Sequence, residues 1–440
     1  MATTTSNFKI IFLSIFIVGA LAGLLTFSGI IKIGGGGTQK ITGTATIWGT
    51  IPTQSLDKFF SDYNIYNPDT NVNYVEKDPA TFEREIIETI ASGQAPDLIL
   101  LPDNLAYRFE SKMMHIPFAS LPAQTFNSTY VSGAGIFGVS DGYLAIPWIA
   151  DPLIMYYNQD LLATAGIAQS PKIWPEFSAL IPSLTKKTSD LTITQSATAL
   201  GTTKNISNIK DIMALLFMQG GNSVVTRGVD GSVSARIGAL ASNSEIDAAK
   251  NAINFFTAFS NPVDPSYSWN DGLPRDRDAF VRGTLAFYFG RASELPLIRA
   301  QNPNLNFNIS LPPQFRNAKF PLTVGNIYGF AIPNIAKDKT LSATVAKSLT
   351  STASTEKLIS LSGSGFSFVP ARRDVLANKP EGDPYMTLLY NVVLVMRTWL
   401  DPNPTATTEI FKSMINSVRS GISTAEISLL EAGSKINSIR

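Results

Sequence analysis

Residues 141–174 read DGYLAIPWIADPLIMYYNQDLLATAGIAQSPKIW, and the fold turns on how this stretch divides. Asp141-Gly142 suits a tight reversal, because both residue types adopt turn geometry readily. A short apolar strand, Tyr143–Ile146, follows and is expected to stop at Pro147. A second apolar run, Leu153–Tyr157, ends at Asn158. Asp160–Ala165 predicts one or two helical turns, closed by Gly166 in a left-handed C-terminal cap. Pro171, Trp174 and Pro175 lead into another helix, expected over Glu176–Ile181. Ala150-Asp151-Pro152 is the odd feature. A carboxylate between two buried strands must be solvated, paired or used, because an unpaired buried charge is costly.

Working outward, strands and helices alternate. Ala45–Trp48 reads as a strand, and Ser55 is placed to cap a helix that carries Leu56, Phe59, Phe60 and Tyr63 on one face. Val72–Val75 is a second strand, and Phe82, Ile86 and Ile90 stripe a second helix. Asp97–Leu101 lacks alternation, as a strand buried on both faces does. This order predicts a parallel α/β sheet with right-handed crossovers. Beyond Trp174, a Ser/Thr-rich region runs to Asn208, and helices are expected over Ile209–Gln219 and Ser244–Ser260. A loop at Trp269–Gly272 and a strand at Thr284–Phe289 follow. A return strand is expected over Asn326–Pro333, and the rest is helical with a break at Asp401–Pro404.

Composition removes several classes of chemistry. The 440 residues carry 35 Lys+Arg against 34 Asp+Glu, a net charge of +1, which gives no broad basic face for nucleic acid. There is no cysteine, so disulfides, zinc–thiolate sites and a cysteine nucleophile are excluded. The one histidine, His115, is read as a surface residue, and multi-histidine metal sites are excluded. No cofactor and no metal is expected. Two Ser-x-x-Lys matches, at Ser183 and Ser354, lack the partner motifs of that chemistry. Asp276, Arg277 and Asp278 read as a solvated helix end.

The quoted stretch resembles the crossover segment of the extracellular solute-binding proteins of ABC importers, in the sugar-binding group that includes the maltodextrin-binding proteins. The matching letters include Tyr143, Pro147, Tyr156-Tyr157-Asn158, Asp160, Ala165-Gly166-Ile167, Pro171 and Trp174. Ile47-Trp48, Ser92-Gly93, Pro96-Asp97-Leu98, Phe280, Gly283 and Gly290 extend the likeness over nearly all of 43–440, with 185–245 the least alignable. The resemblance implies a two-lobed α/β fold of the periplasmic-binding-protein type II class, with hinge strands and a cleft between lobes. The first lobe is expected to take 41–146 and 328–362, the second 150–325 and 363–440.

The resemblance also implies a binding protein rather than an enzyme. Its ligand is expected to be a carbohydrate and its partners the permease subunits of an ABC transporter. Aromatic faces stack on sugar rings, and planar polar side chains bond neighbouring hydroxyls. The ligand set implied is Thr50, Asp103, Asn104, Trp148, Asp151, Trp269, Asn270, Arg291 and Tyr328, with Asp151 at the position that offers a carboxylate to hydroxyls, and Trp399 joins the candidates as a tryptophan off any helical stripe. A capping role for Asp151 at the hinge is the bland counterpart. Two other functions stay open: a glycan-acting enzyme using Asp103 and Asp151, and an adhesion or assembly protein reusing the fold. The near-zero net charge gives no reason to favour a strongly anionic ligand.

Ahead of the folded part, 1–9 is polar and Ile10–Ile31 is an uncharged apolar run. That run is long enough for a hydrocarbon core of roughly 30 Å, and 32–40 is a glycine-rich linker. A single-pass anchor with the folded part outside the cell is expected. A cleaved signal peptide, cut after Ala22, is the competing reading. The protein is expected to be a monomer.

Overall fold

Strand β1 (Gly43–Gly49), helix α1 (Thr53–Tyr66), strand β2 (Thr70–Glu76), helix α2 (Phe82–Ala91) and strand β3 (Leu98–Pro102) follow one another from the start of the folded part. The computed structural model describes residues 41–228, 231–238, 243–316, 318–362, 368–380 and 382–439. All of the elements below belong to one compact unit that begins at Gly43. The expected anchor and the linker lie outside the described residues. Among the described residues no helix is long and apolar enough to cross a membrane.

β1 pairs in parallel with both β2 and β3. All five residues of β3 are buried, as its unbroken apolar run predicts. Each such Leu or Ile side chain stabilises the fold by about 1.5–3 kcal/mol relative to exposure. Leu56, Phe59, Phe60 and Tyr63 form the buried face of α1. Ser55 does not cap this helix. It starts at Thr53 behind Pro52, and the Glu76 carboxylate accepts the Thr53 N–H at 2.7 Å in place of a side-chain cap.

The largest departure from the sequence reading is in the quoted stretch. Residues Ile146–Asn158 form one strand, β4, of 13 residues, and it is buried without a break from Pro147 through Asp151 to Tyr156. Pro147 and Pro152 interrupt the ladder chemically, since neither has an N–H to donate. Both lie opposite glycines of the return strand, Gly329 and Gly325, and the register shifts between Tyr328 and Gly329. A side chain at Gly325 would bring its Cβ to 2.5 Å from the Asp151 carbonyl oxygen. Close backbone approach at a glycine lets the strand pass through both prolines.

Helix α3 (Trp174–Leu184), strand β5 (Ile193–Thr198), helix α4 (Ile209–Gln219), the hairpin β6 (Val225–Arg227) and β7 (Val233–Ala235), and helix α5 (Asn243–Ala258) come next. Then follow β8 (Leu285–Arg291), β9 (Phe307–Ser310), β10 (Thr323–Ala331), helices α6 (Lys339–Leu349) and α7 (Thr352–Ser362), and β11 (Val369–Pro370). The chain ends with α8 (Pro384–Val395), β12 (Met396–Arg397), α9 (Pro404–Arg419) and α10 (Ala425–Ser438).

The strand order is β2-β1-β3-β10-β4-β8-β5. The first half of β4 pairs with β10, and its second half pairs with β8 and β9. β10 in turn pairs with β3. The fold is therefore two α/β lobes that share β4 and β10. One lobe is built on β1–β3, the other on β5, β8 and β9. The loops after β3 and β8 open toward the same region, beside the crossing strands.

Candidate functional site

Asp103 follows β3 directly and begins a short 3-10 turn, Asp103–Leu105. It is 4% exposed, and its Oδ1 accepts the Ile327 N–H of β10 at 3.0 Å. Burial pushes its carboxyl up to about 7, against the pull of that N–H and of Arg291. The neighbouring Asn104 has a buried Oδ1 with no hydrogen-bond partner.

Arg291 closes β8 and enters the region from the other lobe. Its N–H donates to Glu294 at 2.9 Å, and its carbonyl accepts the Tyr156 hydroxyl at 2.6 Å, so its backbone is held on both sides. Its Nη2 donates to Asp211 at 2.6 Å, while Nη1 is buried with no partner. Burial works against the guanidinium charge, but Asp211, then Asp151, Tyr328 and Asp103 outweigh it and raise its pKa. Burial, and then Asp151, push the Tyr328 hydroxyl above its ordinary value.

Asp151 is 2% exposed and lies opposite Asn326 in the ladder. Its Oδ1 accepts the Ser293 N–H at 2.9 Å and its Oδ2 accepts the Ser293 hydroxyl at 2.7 Å. The structure thus gives Asp151 the capping role at the turn after β8, and both of its oxygens are engaged there. Burial pushes it up to about 6, opposed by Arg291 and Ser293.

Lys210, Trp399 and Asp401 add further side chains to the wall. Lys210, in the first turn of α4, donates to Asp401 at 2.6 Å and to the Pro404 carbonyl at 3.1 Å. Asp401 also accepts the Thr407 hydroxyl at 2.8 Å. The Trp399 ring lies parallel to Phe411 at 6.1 Å, with the Lys210 ammonium 5.8 Å from its centre. Asp103, Asn104, Arg291 and Trp399, with Lys210, Asp211, Asn326 and Asp401, surround a cavity of about 30 Å³. Ligand pockets usually run to roughly 300–1,000 Å³, so the walls here are drawn together on each other. What they present is a mix of charged donors, carboxylates and one aromatic face.

The structure does not bring the remaining expected residues here. Trp148 is fully buried among Phe59, Phe60 and Phe330, with ring centres 4.9–6.3 Å away. Trp269 is fully buried, and its ring N–H donates to Asn205 at 3.0 Å. Neither ring can serve as a stacking platform, because other side chains already cover it. Asn270 donates to the Tyr267 hydroxyl and accepts the Gly272 N–H, so it builds its own loop. Thr50 sits in the bend after β1, half-buried and outside the lining of the cavity. Asp276, expected to be solvated, is 1% exposed and holds the Ser207 N–H at 2.9 Å and hydroxyl at 2.7 Å. Burial pushes its carboxyl up to about 6.

Sequence reasoning missed Lys210, Asp211, Asn326 and Asp401. Lys210-Asp211 stands in the interval with the fewest recognisable letters. Asp401 reads only as part of a Pro-rich break. Asn326 reads only as the start of the return strand, and its place opposite Asp151 comes from the strand pairing. Among the described residues no group of three acidic or histidine side chains is arranged to hold a metal ion.

The chain belongs to the bacterial extracellular solute-binding protein family, whose model matches residues 58–386. No curated protein matches it in sequence. Solved structures resemble it in fold. A Thermus thermophilus maltotriose-binding protein, with maltotriose bound, is 16% identical with a TM-score of 0.67 over 89% of this chain and 99% of that one. A cyclo/maltodextrin-binding protein in complex with maltotetraose is 13% identical, with a TM-score of 0.71 over 91% and 98%. A Thermotoga lettingae ABC-transporter solute-binding protein with α-D-tagatose is 19% identical, with a TM-score of 0.66 over 90% and 100%.

Proposed function

We propose that this protein captures a sugar or oligosaccharide between its lobes outside the cell and delivers it to the permease of an ABC transporter. The observation that carries the reading is the pair of buried, unpartnered polar atoms in the cavity wall, Nη1 of Arg291 and Oδ1 of Asn104. One is a donor and one an acceptor, they come from opposite lobes, and Trp399 stands beside them. A polyhydroxylated ring bonds to both and lays its C–H face on the indole. The sugars bound by the solved relatives support the same class. Two-carboxylate hydrolysis is the weaker reading, because Ser293 already occupies both oxygens of Asp151.

In this reading the lobes take 41–146 with 328–362, and 150–325 with 363–440. They part to admit ligand and close on it about β4 and β10. Ile10–Ile31 is the membrane anchor and the glycine-rich 32–40 its tether. The full-length protein in detergent, screened by thermal shift against neutral and acidic saccharides, polyols and peptides, tests the reading. A ligand present at a hundred times its Kd stabilises by about 2.7 kcal/mol. A screen in which only peptides, or nothing, raise the melting temperature would overturn it.

A further inference from the structure

Trp399 has a second side. Besides bounding the small polar cavity, it forms part of the wall of an adjoining cavity of about 370 Å³. This outer cavity lies between the glycine-rich 3-10 turn Ser132–Phe137 of the first lobe and the end of α4 with β6 of the second. Its size falls in the range of sites for small organic ligands.

The two cavities differ in charge. The inner one is lined by Asp103, Asp211 and Asp401 against Arg291 and Lys210. The outer one is lined by two charged side chains, Arg227 and Arg397, and by no carboxylate. Arg227 is already satisfied, since its guanidinium makes a two-pronged pair with Glu110 at 3.0 and 2.6 Å. Arg397 is not. Its Nη1 donates to the Met396 carbonyl at 3.0 Å, and no carboxylate pairs with it among the described residues. It is held in place because β12 pairs with β10 at Thr323 and Val324, and because the next residue, Thr398, bonds the Gly133 carbonyl at 2.8 Å. An anchored, half-buried guanidinium with donors to spare favours a planar anion that accepts two hydrogen bonds.

We propose that the outer cavity takes the carboxylate of an acidic saccharide, a uronate unit, with Arg397 as its ion-pair partner and Trp399 as its apolar wall. This rests on the saccharide reading above and narrows it. The neutral, hydroxyl-rich part of the ligand faces Arg291 and Asn104, and the acidic unit lies beyond Trp399. A chain-wide net charge of +1 conceals this, because it sums 35 basic and 34 acidic residues whatever their positions.

Calorimetric titration of the full-length protein tests the assignment. The probes are maltotriose, glucose 6-phosphate and trisaccharides containing galacturonate, mannuronate or glucuronate. At least one uronate trisaccharide should bind about ten- to a hundredfold more tightly than maltotriose. That preference should shrink as salt rises and vanish in Arg397→Gln, while Arg397→Lys keeps part of it. If Arg397→Gln fails to fold, the lysine variant and the salt series decide. A preference that survives Arg397→Gln overturns the role of Arg397. Glucose 6-phosphate binding as tightly as the best uronate overturns the carboxylate assignment. Maltotriose binding as well as every uronate overturns the inference and leaves the saccharide reading standing. No binding by any of these saccharides overturns both.

Discussion

Asp103 is held where burial outweighs its one backbone donor and Arg291, so the folded chain keeps a proton on it up to about pH 7. An ordinary aspartate releases that proton near pH 4. Between those values the folded state binds more protons than the unfolded state, and stability therefore falls as pH rises through the window. Asp151, raised to about 6, acts in the same direction. Asp103→Asn keeps an acceptor for the Ile327 N–H and cannot ionise. Denaturant unfolding should show it more stable than the parent at pH 7.5 and equal at pH 4; an equal difference at both would refute the assignment. Trp269→Ala should cost about 3–5 kcal/mol of stability, as removal of a buried aromatic does, and leave the affinity of the folded fraction unchanged. Lost affinity with intact stability would return Trp269 to the site. These tryptophans mark the limit of sequence reading at this scale. Trp148 and Trp269 stand at a strand and a loop, as Trp399 does, and local sequence makes all three look alike. What separates them is cover from residues distant in sequence, Phe330 over Trp148 and Asn205 at Trp269.

At the scale of elements, β4 was legible as two apolar runs but not as one strand. The information that joins them lies some 180 residues away, in the glycines of β10 that face Pro147 and Pro152. By contrast, β3 and the helix cap at Gly166 were legible because burial on both faces and a left-handed cap are local demands; Gly166 has φ +71. The hairpin β6–β7 has a function of its own in this scheme. Arg227, at the end of β6, grips Glu110 of the first lobe through two hydrogen bonds and so ties the lobes together. The pair is partly exposed, so Arg227→Ala should cost no more than about 1 kcal/mol of stability. Its effect should fall on the spacing of the lobes instead. Small-angle scattering of the ligand-free variant should give a larger radius of gyration than the parent. An unchanged radius would show that the pair is incidental to closure.

For the whole molecule, the two-lobed class was legible from motifs spread along the chain, and the lining of the candidate site only in part. Asp103, Asn104, Arg291 and Trp399 were expected and meet at one cavity. Lys210, Asp211 and Asp401 were not, because their nearness arises from the packing of α4 against the start of α9 rather than from any local pattern. The anchor is a separate prediction. Mass spectrometry of the native protein should find the N-terminus upstream of Ala20, and a terminus at Gly23 would establish cleavage instead. The central claim is that a saccharide is held between the lobes, beside Trp399. Hydrogen–deuterium exchange of the full-length protein, with and without a saturating saccharide from the screen, addresses it most directly. The account predicts slowed exchange at Asp103–Leu105, at Gly325–Ile327 of β10 and around Trp399–Asp401, with little change on the outer helices α6 and α7. Protection confined to those outer helices, or none with any saccharide, would contradict it.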